Sequence, residues 1–215
     1  MALSMLGRTL MGLGDARGAL RLHEEMRDIA EALGTNVWRS EARTNLGEDL
    51  IALGRLDEAD ALLASSVKEA GDLVFYLVQT LRIHAGLRLQ RGDAAGALAM
   101  ARDAATRVPW MRVFAGEARR VEAEALAALE GPAVALPILA DVEALAAELD
   151  AGTMAWRAAL AAARLLREAG RHDEARAAAA RALSALESTA RELDPADRAL
   201  FDASEPVVRA RAALA

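Results

Sequence analysis

The 215 residues (22.7 kDa) are 54% hydrophobic but only 3% aromatic, about a quarter are Ala, and only 5 are Pro. That composition favours helices held close together through small side chains, and it excludes an all-β fold, which needs aromatic and β-branched residues and frequent turns. A net charge of −6 argues against direct nucleic-acid binding and against an anionic membrane surface, and the lack of Cys removes thiol catalysis, thiolate metal sites and disulfides.

In chain order, MALSMLGRTLMGLGD lacks the basic start, long apolar centre and cleavage site of a signal peptide, and its Leu/Met spacing predicts a helix over 2–12. Further helices are predicted at 16–33, 37–52, 56–70, 73–90, 94–107, 111–129, 133–149, 153–169 and 172–193. Asp72-Leu-Val-Phe-Tyr-Leu-Val has a strand-like composition but no second strand to pair with, and Pro137 is expected to kink its helix or delay its start. Asp194-Pro195 and Ser204-Glu205-Pro206 read as two more helix starts, with Pro tolerated in the first turn. Charged residues interrupt every Ala/Leu run, so no transmembrane helix is predicted. A single Lys among 26 basic residues, in an Ala- and Arg-rich chain, fits a high-GC bacterial genome.

Two small residues spaced 12 positions apart recur along the chain at Gly7/Ala19, Gly47/Ala59, Ala85/Ala97, Ala123/Ala135 and Ala163/Ala175, with periods of 40, 38, 38 and 40 residues. Between them lie Leu13-Gly14-Asp15, Leu53-Gly54-Arg55, Arg91-Gly92-Asp93, Glu130-Gly131-Pro132 and Ala169-Gly170-Arg171. Gly ends a helix in the left-handed conformation, and Asp15, Asp57, Asp93 and Asp173 suit the start of the next one. Each unit therefore reads as helix A, tight turn, helix B, with Gly or Ala on A facing Ala on B. Leu3, Leu6, Leu10, Leu46 and Leu50 supply an apolar stripe that one hairpin cannot bury alone, so hairpins must stack into a solenoid.

The runs LGRTLMGLGDARGAL (6–20), LGEDLIALGRLDEAD (46–60) and AARLLREAGRHDEAR (162–176) resemble the tetratricopeptide repeat, in a longer, roughly 40-residue form found in bacterial regulators. The resemblance covers residues 2–193 and implies an all-α, right-handed superhelical solenoid of five hairpins, about 2–33, 37–70, 73–107, 111–149 and 153–193. The third and fourth units depart from it: His84 and Glu122 stand where Leu6 and Leu46 do, Arg88 replaces Leu10 and Leu50, and the fourth turn is shifted by one residue. Residues 194–215 are expected to form one or two capping helices, whereas the first helix begins almost at Met1 without a cap. Two expectations follow, that the chain is part of a longer protein and that the face of Leu3, Leu6 and Leu10 offers a route to self-association.

No enzyme chemistry is visible. His23, His84 and His172 sit in three different repeats without metal-ligand spacing, no phosphate-binding glycine loop is present, and carboxylate pairs such as Glu24/Glu25 and Asp57/Glu58 are explained by solvation and helix dipoles. No catalytic residue, metal or cofactor is expected. Trp38, Trp110 and Trp156 read as wedges between repeats, or as exposed anchors for a partner.

The resemblance places the A helices on the concave face. One position after each small A residue come Arg8, Glu48, Gly86, Glu124 and Arg164; three before it come Ser4, Thr44, Arg82, Arg120 and Leu160. Asn45 occupies the place where such arrays hold a peptide backbone, and the other four units lack it. The implied function is a non-catalytic protein-interaction module, the C-terminal part of a larger bacterial regulator, whose Arg82, Arg120 and Arg164 meet an acidic protein or peptide, with Arg8, Asn45 and Glu48 alongside. The alternative is a sensor that encloses a small ligand or signalling peptide in the same groove.

Overall fold

The computed structural model describes residues 2–70 and 73–214, with the side chains of residues 205, 206, 209, 213 and 214 outside the description. The helices are α1 Ala2–Gly12, α2 Ala16–Leu33, α3 Asn36–Ala52, α4 Leu56–Ala70, α5 Val74–Gln90, α6 Ala94–Arg107, α7 Arg112–Glu130, α8 Pro132–Glu148, α9 Gly152–Glu168, α10 His172–Arg191, α11 Pro195–Ala203 and α12 Glu205–Leu214. Among the described residues there is no strand; Asp72 lies outside them, and the apolar run after it belongs to α5.

Chain punctuation sets the hairpins. Gly14, Gly54, Gly92 and Gly170 have φ between 72° and 92°, a conformation that costs an L side chain energy. The next residue's N–H then reaches back to a carbonyl five positions earlier, as from Asp15 to Leu10 and from Arg171 to Leu166, both at 2.9 Å. The fourth turn differs because Pro132 has no N–H to make that bond, so α8 starts directly after Gly131 and then runs through Pro137 without interruption. Asp15 and Asp93 cap α2 and α6 by accepting the N–H groups of Gly18 and Gly96 at 2.8 and 2.9 Å.

Each helix packs on its chain neighbours, and α1, α3, α5, α7 and α9 also pack on one another in sequence; the outer helices α2 to α10 show no comparable contact among themselves. An inner layer held closely and an outer layer splayed apart must curve, with the A helices on the concave side. The outer small residues Ala19, Ala59, Ala97 and Ala135 are completely buried. Where the inner small residue is Gly, however, it does not face this Ala. A Cβ on Gly7 would lie 2.3 Å from the ring of His23, and one on Gly47 would lie 2.5 Å from Leu63, so these glycines admit the large side chain one turn further along the outer helix.

His23 anchors a buried polar network: its Nδ1 is 2.6 Å from Asp49 Oδ2, and Ser4 donates to Glu41 at 2.5 Å. Burial pushes the Asp49 carboxyl up, and the hydrogen bond and charge of His23 counter only part of that. His84 Nε2 bonds Asp60 at 2.8 Å and holds that carboxyl below its usual range. Both histidines thus join helices, His23 from α2 to α3 and His84 from α5 to α4.

The C-terminal helices do more than cover the last hairpin. Arg198 and Arg211 pair with Glu187 on α10, both at 2.9 Å, and Phe201, Val207 and Ala210 pack against Trp156 and Leu186. Leu13, from the first turn, joins this same cluster, and a Cβ on Gly14 would lie 2.3 Å from Cβ of Ser204. The cap therefore bridges the last hairpin to the first and closes the solenoid on itself. This corrects the expectation that nothing covers the first hairpin: its turn is covered, while Met5, Leu6, Ile29 and Leu33 stay exposed on its other side.

Candidate binding groove on the concave face

Two cavities open along the inner helices and share Glu48, Arg82 and Arg157 at their junction. The outer one, 620 Å3, lies against α3, α5, α7 and α9 and continues toward Arg167. The inner one, 390 Å3, is bounded by the inner helices on one side and by Phe201, Ser204 and Val207 of the cap on the other.

Helical repetition explains which residues reach these walls. Arg8, Glu48, Gly86, Glu124 and Arg164, each one position past a small contact residue, all line the cavities, as do Arg82, Arg120 and Leu160. Ser4, Thr44 and Asn45 do not. Thr44 is buried in a hydroxyl cluster 2.6 Å from Thr80 Oγ1. Asn45, 4% exposed, donates to Ser4 Oγ at 3.3 Å, so it ties α3 to α1 instead of facing a partner. The reason is rotation about the helix axis: Asn45 lies on the side of α3 that turns toward the preceding inner helix.

The expected arginine column is unequal in its ion pairing. Arg120 is already neutralised, 3.1 Å from Glu117 Oε2 and bonded also to Glu124, while Arg164 reaches the other Glu124 oxygen at 2.8 Å. Burial lowers the pKa of Arg120, but Glu124 and Glu117 outweigh it and hold the guanidinium firmly charged. Burial likewise raises Glu117, and the surrounding Arg120, Arg157 and Arg82 reverse this to leave its carboxyl below the usual range. Among the described residues, neither Arg82 nor Arg157 has a carboxylate within 4 Å, and Arg82 Nε is buried without a partner. Burial, followed by the repulsion of Arg120 and Arg82, pulls the Arg157 pKa down against the attraction of Glu117 and Glu48.

Arg157 and Glu117 escaped the column reading. They stand two helical turns before Arg164 and Glu124, a spacing of seven residues that places them on the same face, so extending each column backward by a heptad finds them. The tryptophans divide three ways: Trp156 is buried at the junction of α9 and the cap, Trp38 is half-buried beside Leu3, Met26 and Ile29, and Trp110 is 72% exposed. Among the described residues no group of three or more His, Asp or Glu is placed to hold a metal, and no helix is long and apolar enough to cross a membrane.

No family model and no curated sequence matches the chain significantly. Its structure is similar to solved kinesin-light-chain-like, nearly identical TPR-like repeats of Podosopora anserina. One, a point variant of that protein, superposes with a TM-score of 0.62 at 17% identity over 88% of this chain and 95% of that one. Another gives 0.60 at 18% identity over 87% and 95%. The fold is that of a tetratricopeptide-type helical repeat solenoid.

Proposed function

We propose that this chain is a non-catalytic protein-interaction module, a scaffold or sensor part of a larger bacterial cytoplasmic regulator, and that its outer groove takes an acidic segment of a protein or peptide. One observation carries the reading. In a chain of net charge −6, the concave cavities present Arg8, Arg82, Arg120, Arg157, Arg164 and Arg167 against only Glu48, Glu117, Glu124 and Glu168. A cationic groove in an acidic molecule steers and selects acidic partners. The repeat fold supports an interaction role, and the Ala- and Arg-rich composition with its single Lys supports a bacterial source. The exposed Met5, Leu6, Ile29 and Leu33 support self-association through the first hairpin. A second reading, a small-ligand sensor, is favoured by the cap closing over the inner cavity.

The test uses the exposed Arg164 and Arg167, because replacing Arg120 would strand the buried Glu117 without its ion-pair partner. With an oligoglutamate peptide as probe, Arg164→Glu combined with Arg167→Glu is expected to weaken binding at least about tenfold, ~1.4 kcal/mol, at unchanged melting temperature. Retained affinity in the folded variant refutes the groove assignment.

A further inference from the structure

We propose that the inner cavity is a binding site for a small organic anion, one acidic group carried on a compact apolar body, with the guanidinium groups of Arg82 and Arg157 gripping the acidic end. Its 390 Å3 lies within the range of about 300–1,000 Å3 typical of small-molecule sites. Its polar wall is over-supplied with donors. Three guanidinium groups, from Arg8, Arg82 and Arg157, line it, and that of Arg157 lies 5.4 Å over the Trp156 ring. Guanidinium groups donate and cannot accept, so they cannot satisfy one another. Among the described residues no carboxylate stands within 4 Å of Arg82 or Arg157. Glu117 is taken by Arg120, which leaves Glu48, among the described residues, as the one remaining carboxylate on a wall that also carries Arg8, Arg82 and Arg157. The missing component is a group that only accepts and carries negative charge, which is a carboxylate or phosphate oxyanion.

The rest of the lining sets the body of the ligand. Met11, Val113, Phe114, Phe201 and Val207 present apolar surface to the same space. The cap roofs it, with Leu13 against Phe201 and Val207 and Gly14 against Ser204, so a threaded polypeptide is disfavoured and a compact molecule fits. This site adjoins the outer groove at Glu48, Arg82 and Arg157, but Arg164 and Arg167, on which the acidic-segment reading is tested, do not line it, so either reading can fail while the other stands.

The experiment uses the full chain carrying Trp38→Phe and Trp110→Phe, which leaves Trp156 as the only one of the 3 tryptophans. Hexanoate, phenyl phosphate, inorganic phosphate, hexanol and hexylammonium are titrated while Trp156 emission and melting temperature are followed. Saturable changes in both signals with hexanoate or phenyl phosphate, and none with hexanol or hexylammonium, support the site; the tighter of the two acids identifies the acidic group. Arg82→Gln with Arg157→Gln is expected to weaken binding at least about tenfold, whereas Arg176→Gln, on the exposed surface of α10, leaves it unchanged. If the double Gln variant does not fold, Arg157→Lys keeps the charge but loses the planar fork, and it must still weaken the acid severalfold. The proposal is overturned if neither acid saturates, if hexanol binds as well as hexanoate, or if the arginine variants bind with unchanged affinity. Equal binding of inorganic and phenyl phosphate overturns the apolar-body assignment.

Discussion

Gly14→Ala separates the closure of the solenoid from the stability of its turns, because the same substitution can be made at an equivalent turn that touches nothing. At Gly92, φ is +83° and an added Cβ would meet no atom within 4 Å, so Gly92→Ala bears only the cost of a left-handed L residue, about 1–2 kcal/mol. At Gly14, φ is +92°, so that cost is shared, but the new Cβ would also lie 2.3 Å from Ser204 Cβ and 2.9 Å from Ser204 Cα. Neither atom is the tip of a flexible side chain, so no rotamer change relieves the overlap and α11–α12 must move away from the first turn. That movement uncovers Leu13, which is 7% exposed in the closed form. Complete exposure of a Leu costs roughly 1.5–3 kcal/mol, and a partial retreat about half of that, so Gly14→Ala is expected to cost ~1 kcal/mol more than Gly92→Ala. Urea unfolding measures the difference. Hydrogen exchange locates it, since residues 195–214 should exchange faster in Gly14→Ala and normally in Gly92→Ala. Equal destabilisation with identical exchange in α11–α12 would mean that the cap does not bear on the first turn in solution.

Gly47→Ala forces its Cβ to within 2.5 Å of Leu63 and is expected to destabilise by about 1–3 kcal/mol. Gly86→Ala sits in a helix with nothing within 4 Å and should stabilise by roughly 0.5–1 kcal/mol; thermal or urea unfolding of the two variants must move in opposite directions. Glu117 has its folded-state pKa depressed, so its stabilisation is fully present above the ordinary carboxylate value and disappears as pH falls through the folded value. Urea midpoints should therefore fall below about pH 4.3, and Glu117→Gln should flatten that fall while lowering stability at pH 7. An unchanged acid limb in the variant would remove Glu117 from the charge network.

The helical-hairpin architecture was legible because it rests on local signals repeated along the chain. Gly14, Gly54, Gly92 and Gly170 mark turns that only a residue without a side chain adopts cheaply, and the ten hairpin helices begin and end within two residues of their expected bounds. The groove column Arg8, Glu48, Gly86, Glu124 and Arg164 was legible for a related reason, since a fixed offset from a contact residue fixes the face of a helix. Asn45 was misread because its offset places it near the boundary of that face, where a small rotation toward the neighbouring inner helix buries it beside Ser4.

Sequence by itself thus determined what rests on local signals within one repeat: helix type, turn position and the face that carries Arg8, Glu48, Gly86, Glu124 and Arg164. Tertiary structure alone decided what depends on groups distant in the chain. The pairing of Arg120 with Glu117 and Glu124, and of Arg164 with Glu124, left Arg82 and Arg157 without a carboxylate within 4 Å among the described residues, and no spacing rule reports which charges cancel across neighbouring helices. The approach of Ser204 to Gly14 joins residues 190 positions apart. Such a contact depends on curvature accumulated over five hairpins, a sum of small rotations at each interface that no local pattern encodes.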